Sequence, residues 1–236
     1  MLNILVPCMG QDQFFKNSLY PKLLNEVNGK PIIERVVANL GCIKNSRLIF
    51  VLSQEECSTF HIDSVINVLL ENSATVIKLR NPTRGALCTC LMAIDEINTC
   101  EPLIIVNSDQ IIDCDYNEVV DYFKESKTDA GVIGFHSVHP RWSYYHETDG
   151  LIDEVAEKRP LSRNAIAGFY WFNKGEEFIQ SAFRVLLQSP MLEKYYISSV
   201  LNDFIINSRK VIPFKIDACR YHSFYSPEKI KQYERG

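Results

Sequence analysis

The first half of the chain alternates short apolar runs with amphipathic stretches of helical length. Residues 3–7 (NILVP), 47–52 (RLIFVL), 74–79 and 102–107 read as strands, and 31–40, 61–70 and 85–97 as helices between them. Continuously apolar strands separated by helices predict a parallel sheet covered on both faces. Right-handed crossovers then place every strand's C-terminal end on one edge, where open α/β sheets bind ligands. The second half changes character. Residues 130–136, 150–157 and 165–172 read as strands with long polar connections, more antiparallel or mixed. Helices follow at 175–187 and 196–207, then a strand at 211–216 and a terminal helix from 227. No repeat, low-complexity segment or Pro/Gly/Ser linker interrupts this order. The expectation is one domain over 1–236, with a nucleotide-binding half at 1–115 and an acceptor-binding half at 116–236.

Composition narrows the function classes. The 236 residues are 46% hydrophobic and 23% charged, with a net charge of −4. That charge argues against a nucleic-acid coat or a membrane-surface protein, so an anionic ligand must be held by a few local cations. No apolar run approaches the roughly 18 residues of a spanning helix. The N-terminal segment has no basic lead or small-residue cleavage site and is not expected to be a signal peptide. The eight cysteines are scattered, without a C-x-x-C pair or zinc spacing, which predicts free thiols in a reducing, cytoplasmic compartment. His136, His139 and His222 share no ligand spacing.

The most hydrophobic strand ends unusually. Residues 102–115 read PLIIVNSDQIIDCD, so five apolar or β-favouring residues run into Asn107, Ser108 and Asp109. The plain reading is a strand closing in an Asx turn. The sharper one is a carboxylate at the C-terminal edge of a buried parallel strand, holding a metal ion and the phosphates on it. The acids Asp113 and Asp115 read as a loop and helix cap before a helix at 117–125.

With these elements placed, the chain resembles the sugar-phosphate nucleotidyltransferases (pyrophosphorylases), and most of all a subgroup from bacterial capsular and surface-polysaccharide biosynthesis. The likeness is carried by YPKLLNEVNGKPIIERVVANL (20–40), TRGALCTCLMAIDEI (83–97), IIVNSDQ (104–110), HPRWSY (139–144) and EVAEKRPLSRNAIAGFYWFNKGEEF (154–178), in that order. It implies a Rossmann-like nucleotide-diphospho-sugar transferase (GT-A-type) α/β fold, with a mixed, mostly parallel sheet flanked by helices. It also implies a reaction in which an acceptor's phosphate attacks the α-phosphate of a nucleoside triphosphate and releases pyrophosphate. Asp109 is then the Mg²⁺ ligand, and Lys22 and Asp109 are the catalytic pair. Pro7, Met9, Gly10, Lys22, Arg84, Gly85, Ala86 and Ser108 would hold the nucleotide. Gly85 would let the base lie flat against backbone. Trp142, Glu157, Lys158, Ala167 and Gly168 would hold a phosphorylated small molecule, with a sugar 1-phosphate as the leading candidate. A nucleic-acid or membrane partner is not expected, and assembly of like chains is left open.

Two departures from the family pattern bear on activity. Its first loop is glycine-rich and ends in an arginine; here it reads PCMGQDQFF (7–15), keeping only Gly10, with Asp12 where a glycine is expected and Phe14 where the arginine should be. Losing a charge-assisted clamp on a triphosphate removes several kcal/mol of transition-state stabilisation, and Lys16 or Arg84 are the candidates to replace it in space. The segment 221–228 offers Ser223 where some relatives place a second metal carboxylate, and Asp217 lies earlier. These departures keep three alternatives open. One is a weak or inactive regulatory protein that binds nucleotide or sugar nucleotide; another is a cytidylyltransferase acting on a non-sugar phosphate. The third, a glycosyltransferase on the same fold, would want two acids where 107–109 supplies one.

Overall fold

The computed structural model describes residues 1–10, 13–16 and 18–235; Asp12 lies outside them. The first half builds the parallel layer its sequence pattern predicts. β1 (Leu2–Pro7), α1 (Ile32–Leu40), β2 (Ser46–Ser53), α2 (Gln54–Phe60), α3 (Ile62–Leu69) and β3 (Thr75–Leu79) follow in turn. After α4 (Ala86–Leu91) and α5 (Ile94–Ile97) comes β4 (Leu103–Val106). β1 pairs in parallel with β2 on one side and β4 on the other, and β2 pairs in parallel with β3. The winding direction therefore reverses between β1 and β4, a topological switch point that opens a crevice at the strands' C-terminal ends.

The second half extends the same sheet. It comprises β5 (Gln110–Ile112), α6 (Tyr116–Glu125), β6 (Ala130–His136), β7 (Ser143–Thr148), β8 (Leu151–Glu157) and β9 (Asn164–Phe172). Then come α7 (Gly175–Gln188), α8 (Ser198–Ile206), β10 (Val211–Lys215), β11 (Tyr221–Ser223) and α9 (Pro227–Arg235). β9 is the seam: it runs antiparallel to β4, β6 and β7. β7 and β8 form a hairpin, and β10 joins β6 in parallel. Among the described residues the result is a nine-stranded sheet, with β5 and β11 in a separate ribbon.

Alternation along the strands explains why both faces carry helices. On β2, Leu48, Phe50 and Leu52 face a core shared with α1, α3 and α6, while Ile49 and Val51 face one shared with α4, α7 and α8. Side chains two apart share a face, so a strand apolar at every position needs cover on both sides. No described helix is long and apolar enough to cross a membrane.

The structure departs from the sequence reading in several places, among them the short strands β5 and β11, which the pattern did not show. α2 was not expected, although Ser53 and Glu56 have the spacing of a capping box and the Ser53 hydroxyl accepts from the Glu56 N–H at 3.4 Å. The helix predicted at 85–97 is broken into α4 and α5; Thr89 Oγ1 bonds back to the Gly85 carbonyl at 3.3 Å, a contact that bends helices. β7 was not expected either, and its Tyr144 and Tyr145 are buried. The cap expected from Asp115 is present, accepting from the Asn117 N–H at 2.8 Å.

All eight cysteines are free, and Cys42, Cys100 and Cys219 are the exposed ones. Burial raises the Cys90 thiol pKa far out of its usual range and pushes that of Cys8 up to about 12. Burial raises the Cys42 thiol pKa as well. Because the thiolate is the reactive form, a thiol titration of the native protein at pH 8 should show Cys100 and Cys219 as the fast-reacting groups, with Cys8 and Cys90 appearing only after denaturation. Fast modification of Cys8 in the folded protein would contradict this packing.

Candidate functional site

β4 delivers Asn107, Ser108 and Asp109 to the switch-point crevice, and the next residue anchors them. Gln110 is buried; its Nε2 donates to the carbonyls of Ala167 at 2.6 Å and Gly168 at 3.1 Å, and its Oε1 accepts from the Tyr221 hydroxyl at 3.1 Å. The Asn107 N–H donates to the Gly168 carbonyl at 3.0 Å, and the Phe224 N–H donates to the Asp109 carbonyl at 2.7 Å. β9 bulges to make room, shifting register between Ile166 and Tyr170. Gly168 sits there at φ +60°, and a Cβ on it would lie 2.2 Å from Asn107 Nδ2 and 2.4 Å from Gln110 Oε1. The backbone of Asp109 is thus fixed by the β9 bulge and by β11 and the residue after it before any ligand arrives.

Lys22 opens a 3₁₀ turn (Lys22–Leu24) and meets this carboxylate directly: its Nζ donates to Asp109 Oδ2 at 2.8 Å. The two side chains keep only 16% and 18% of their accessible surface. A partly buried charge of either sign needs the other, or a ligand that replaces it. Beside them the Cys8 thiol contacts the Ser108 hydroxyl. Glu56 is half-buried nearby; burial raises its carboxyl pKa, and the charge of Lys22 opposes the rise. The Tyr221 phenol is pushed well above its usual range by burial and then by Asp109, so it stays a neutral donor.

Two cavities flank the Lys22–Asp109 pair, Lys22 lining one and Asp109 the other. One, of about 500 Å³, has Met9, Gly10, Lys16, Lys22, Glu56 and Arg80 among its walls. The other, of about 220 Å³, has Ala86, Asp109, Trp142, Glu157 and Gly168 among its walls. Most residues singled out in the sequence converge here. Six of those singled out line neither cavity. Arg84 is exposed and outside both cavities, with its carbonyl accepting from the Tyr195 N–H at 2.7 Å. The Ala167 methyl is fully buried in the core and its carbonyl is taken by Gln110. Ser108 is buried against Cys8, and Pro7 ends β1 half-buried. Lys158 is exposed on the rim, its Nζ 3.2 Å from the Tyr196 hydroxyl. Packing alone already requires glycine at position 85: at φ +105°, its missing Cβ would lie 2.4 Å from the Tyr195 carbonyl oxygen.

Glu157 is held from both sides, accepting from the Ser143 hydroxyl and, at 2.9 Å, from the Ser198 hydroxyl. Sequence reasoning missed Ser143, Tyr196, Tyr225 and, above all, Arg141, which line the smaller cavity. The HPRW tetrapeptide was visible as a marker, but only the β7–β8 hairpin shows that it turns toward Asp109. Of the proposed cationic substitutes, Lys16 lines the larger cavity. Ser223 reaches the smaller cavity, whereas Asp217 lies outside it. Among the described residues no group of three or more His, Cys, Asp or Glu could hold a metal ion; Asn107 and Ser223 line the smaller cavity beside Asp109.

A polar crevice at the carboxyl edge of an α/β sheet, with a cation and a carboxylate paired at the switch point, defines a protein that handles phosphorylated ligands. The family model described as nucleotidyl transferase matches residues 16–208. The chain belongs to that family and is a nucleotidyltransferase enzyme. Its fold is shared by the nucleoside-diphosphate-sugar pyrophosphorylase of Vibrio cholerae RC9, at 18% identity over all of both chains and a TM-score of 0.81. A putative glucose-1-phosphate thymidylyltransferase from Bacillus anthracis, in complex with a sucrose, matches all of this chain and 94% of its own at 16% identity and a TM-score of 0.82. A UTP-bound UGPase from Acinetobacter baumannii matches all of this chain and 92% of its own at 15% identity and a TM-score of 0.76. No curated protein matches the sequence.

Gly168→Ala should push Asn107 and Gln110 apart and turn Asp109. The expected cost is about 3 kcal/mol, read as a melting point lowered by roughly 6–12 °C for a chain of this size. An unchanged melting temperature would show that the bulge does not depend on glycine.

Proposed function

We propose that the protein transfers a nucleoside monophosphate from a nucleoside triphosphate to a small phosphorylated acceptor, with a sugar 1-phosphate as the acceptor class. The observation that carries this reading is that two cavities of unequal size flank the Lys22–Asp109 pair. Ligand pockets for drug-sized molecules span about 300–1,000 Å³. The cavity of about 500 Å³ suits a nucleotide, while the one of about 220 Å³ suits only a small acceptor. An acceptor phosphate oxygen attacks the α-phosphorus, and the bond to the bridging oxygen of the departing pyrophosphate breaks. A dianionic phosphate and a triphosphate of charge −4 give a product of charge −2 and pyrophosphate of charge −4, so no proton need move. Catalysis here is positioning and charge stabilisation. Lys22 supplies a point charge to the phosphates, Lys16 and Arg80 stand along the triphosphate side, and Glu157 addresses acceptor hydroxyls.

The donor set suits Mg²⁺, which binds through one or two carboxylates and otherwise through phosphate and water. Asp109 would hold it, and the ion would neutralise charge on the polyphosphate. Of the similar structures, two are sugar-nucleotide or sugar-phosphate enzymes and one is bound to UTP, which supports the substrate class. A role in capsular or surface-polysaccharide assembly rests on the subgroup resemblance. Cytoplasmic residence is supported by the eight free thiols.

A pyrophosphate-release assay with each triphosphate and a panel of sugar 1-phosphates and non-sugar phosphates tests the reaction, and chelation by EDTA should abolish turnover. Asp109→Asn should lower turnover by about 10²–10³-fold, and Lys22→Met by a similar factor, the range typical of losing one transition-state charge contact. Full activity in Asp109→Asn would sink the assignment.

A further inference from the structure

We infer that Arg141 is the residue that grips the acceptor's phosphate in the smaller cavity. This rests on the reaction proposed above and names a part of its machinery that the family likeness does not supply. Among the described residues lining that cavity, Asp109 and Glu157 are acidic and Arg141 is the single cation. A phosphate placed between two carboxylates is repelled unless a cation stands with it. Lys158, which the resemblance offers for the task, is exposed on the rim with its ammonium over the Tyr196 ring at 5.1 Å.

The arginine is mounted for this task. Its guanidinium lies over the Tyr225 ring and 5.0 Å from the Trp142 ring centroid. Phe14 meets Tyr225 edge-on at 5.9 Å, and Trp142 is packed by Phe135 at 5.7 Å and Tyr221 at 5.4 Å. Stacking engages the faces of a guanidinium, while its N–H donors lie in its plane, in the fork that matches phosphate oxygens. The turn beneath it is tied down as well. The Arg141 N–H donates to His139 Nδ1 at 3.3 Å, the Tyr144 hydroxyl to the His139 carbonyl at 2.7 Å, and the Lys158 N–H to the Trp142 carbonyl at 3.0 Å. The last bond sets Arg141 beside Glu157, so one anchored corner presents a carboxylate for hydroxyls and a guanidinium for phosphate. The ring at position 14, where the family resemblance expects an arginine, becomes part of the mount for an arginine elsewhere.

The test compares wild type, Arg141→Gln and Arg141→Lys, with steady-state kinetics for both substrates and calorimetric binding of glucose 1-phosphate, inorganic phosphate and glucose. Arg141→Gln should raise the acceptor KM by about 10- to 100-fold, the worth of one or two charged hydrogen bonds, with the triphosphate KM within about two-fold. Arg141→Lys should recover part of the loss, because it keeps the charge and loses the fork. Binding of the phosphorylated probes should fall and that of glucose should not. An equal rise in both KM values, or a fall in melting temperature without a selective KM change, would overturn the inference. So would failure of wild type to bind any phosphorylated probe. If wild type binds glucose 1-phosphate through Arg141 yet turns over no substrate pair, the reaction assignment fails and the phosphate grip stands.

Discussion

The contact on which the rest of the site depends is the 2.8 Å bond between Lys22 and Asp109. The partners are 87 residues apart in sequence and come from different elements, a 3₁₀ turn and the end of β4. Only the order that lays β4 against β1 brings them together. Each charge is mostly withdrawn from water, and neither would be tolerable there alone. The pair therefore does two jobs. It neutralises itself between the two cavities, and it presents a cation and a carboxylate to whatever polyanion enters.

Around that pair, rigidity is concentrated on Asp109. Gln110 satisfies its amide with two carbonyls of the β9 bulge and a tyrosine hydroxyl. A buried polar network that is fully satisfied fixes geometry far better than one that is partly satisfied. Lys22 is held differently, on a short turn whose end is tied by the Asn25 N–H bonding to the Lys22 carbonyl at 3.1 Å. One partner is thus set in a web of strands and the other rides on a turn, so Lys22 is the member better able to move from carboxylate to phosphate.

Much of the fold was legible because continuously apolar strands can only be buried on two faces, and residues 3–7, 47–52 and 102–107 leave no other reading. Asp109 and Lys22 were legible for a related reason: both follow strong punctuation, a strand end and a Tyr-Pro step. What the sequence hid were matters of long-range geometry. Gly85 read as a point of ligand access, and a Cβ there would also meet the Tyr195 carbonyl oxygen, 110 positions along the chain. Arg84 carried the right charge beside the right motif, yet it is exposed and lines neither cavity. Arg141 belonged to a tetrapeptide that periodicity cannot orient, because its direction is set by cross-strand pairing of β7 with β8. The α2 helix was in principle readable from Ser53 and Glu56, and was passed over because its residues are polar and its amphipathic face is narrow.

A chain of net charge −4 that handles polyanions has to spend its cations locally. Among the described residues three stand along the larger cavity, Lys16, Lys22 and Arg80, against the acids Glu55 and Glu56; one, Arg141, stands in the smaller. The mounting of that arginine gives the unusual first loop a physical sense. A guanidinium on a loop must be ordered when substrate binds, at an entropic cost of up to about 2 kcal/mol for such a side chain. A guanidinium already stacked on Tyr225 and Trp142, in a turn pinned by backbone bonds, has met most of that cost on folding. Phe14 then reads as a brace for that stack and not as the remnant of a clamp, because a phenyl ring edge-on to Tyr225 restrains the ring that carries the charge.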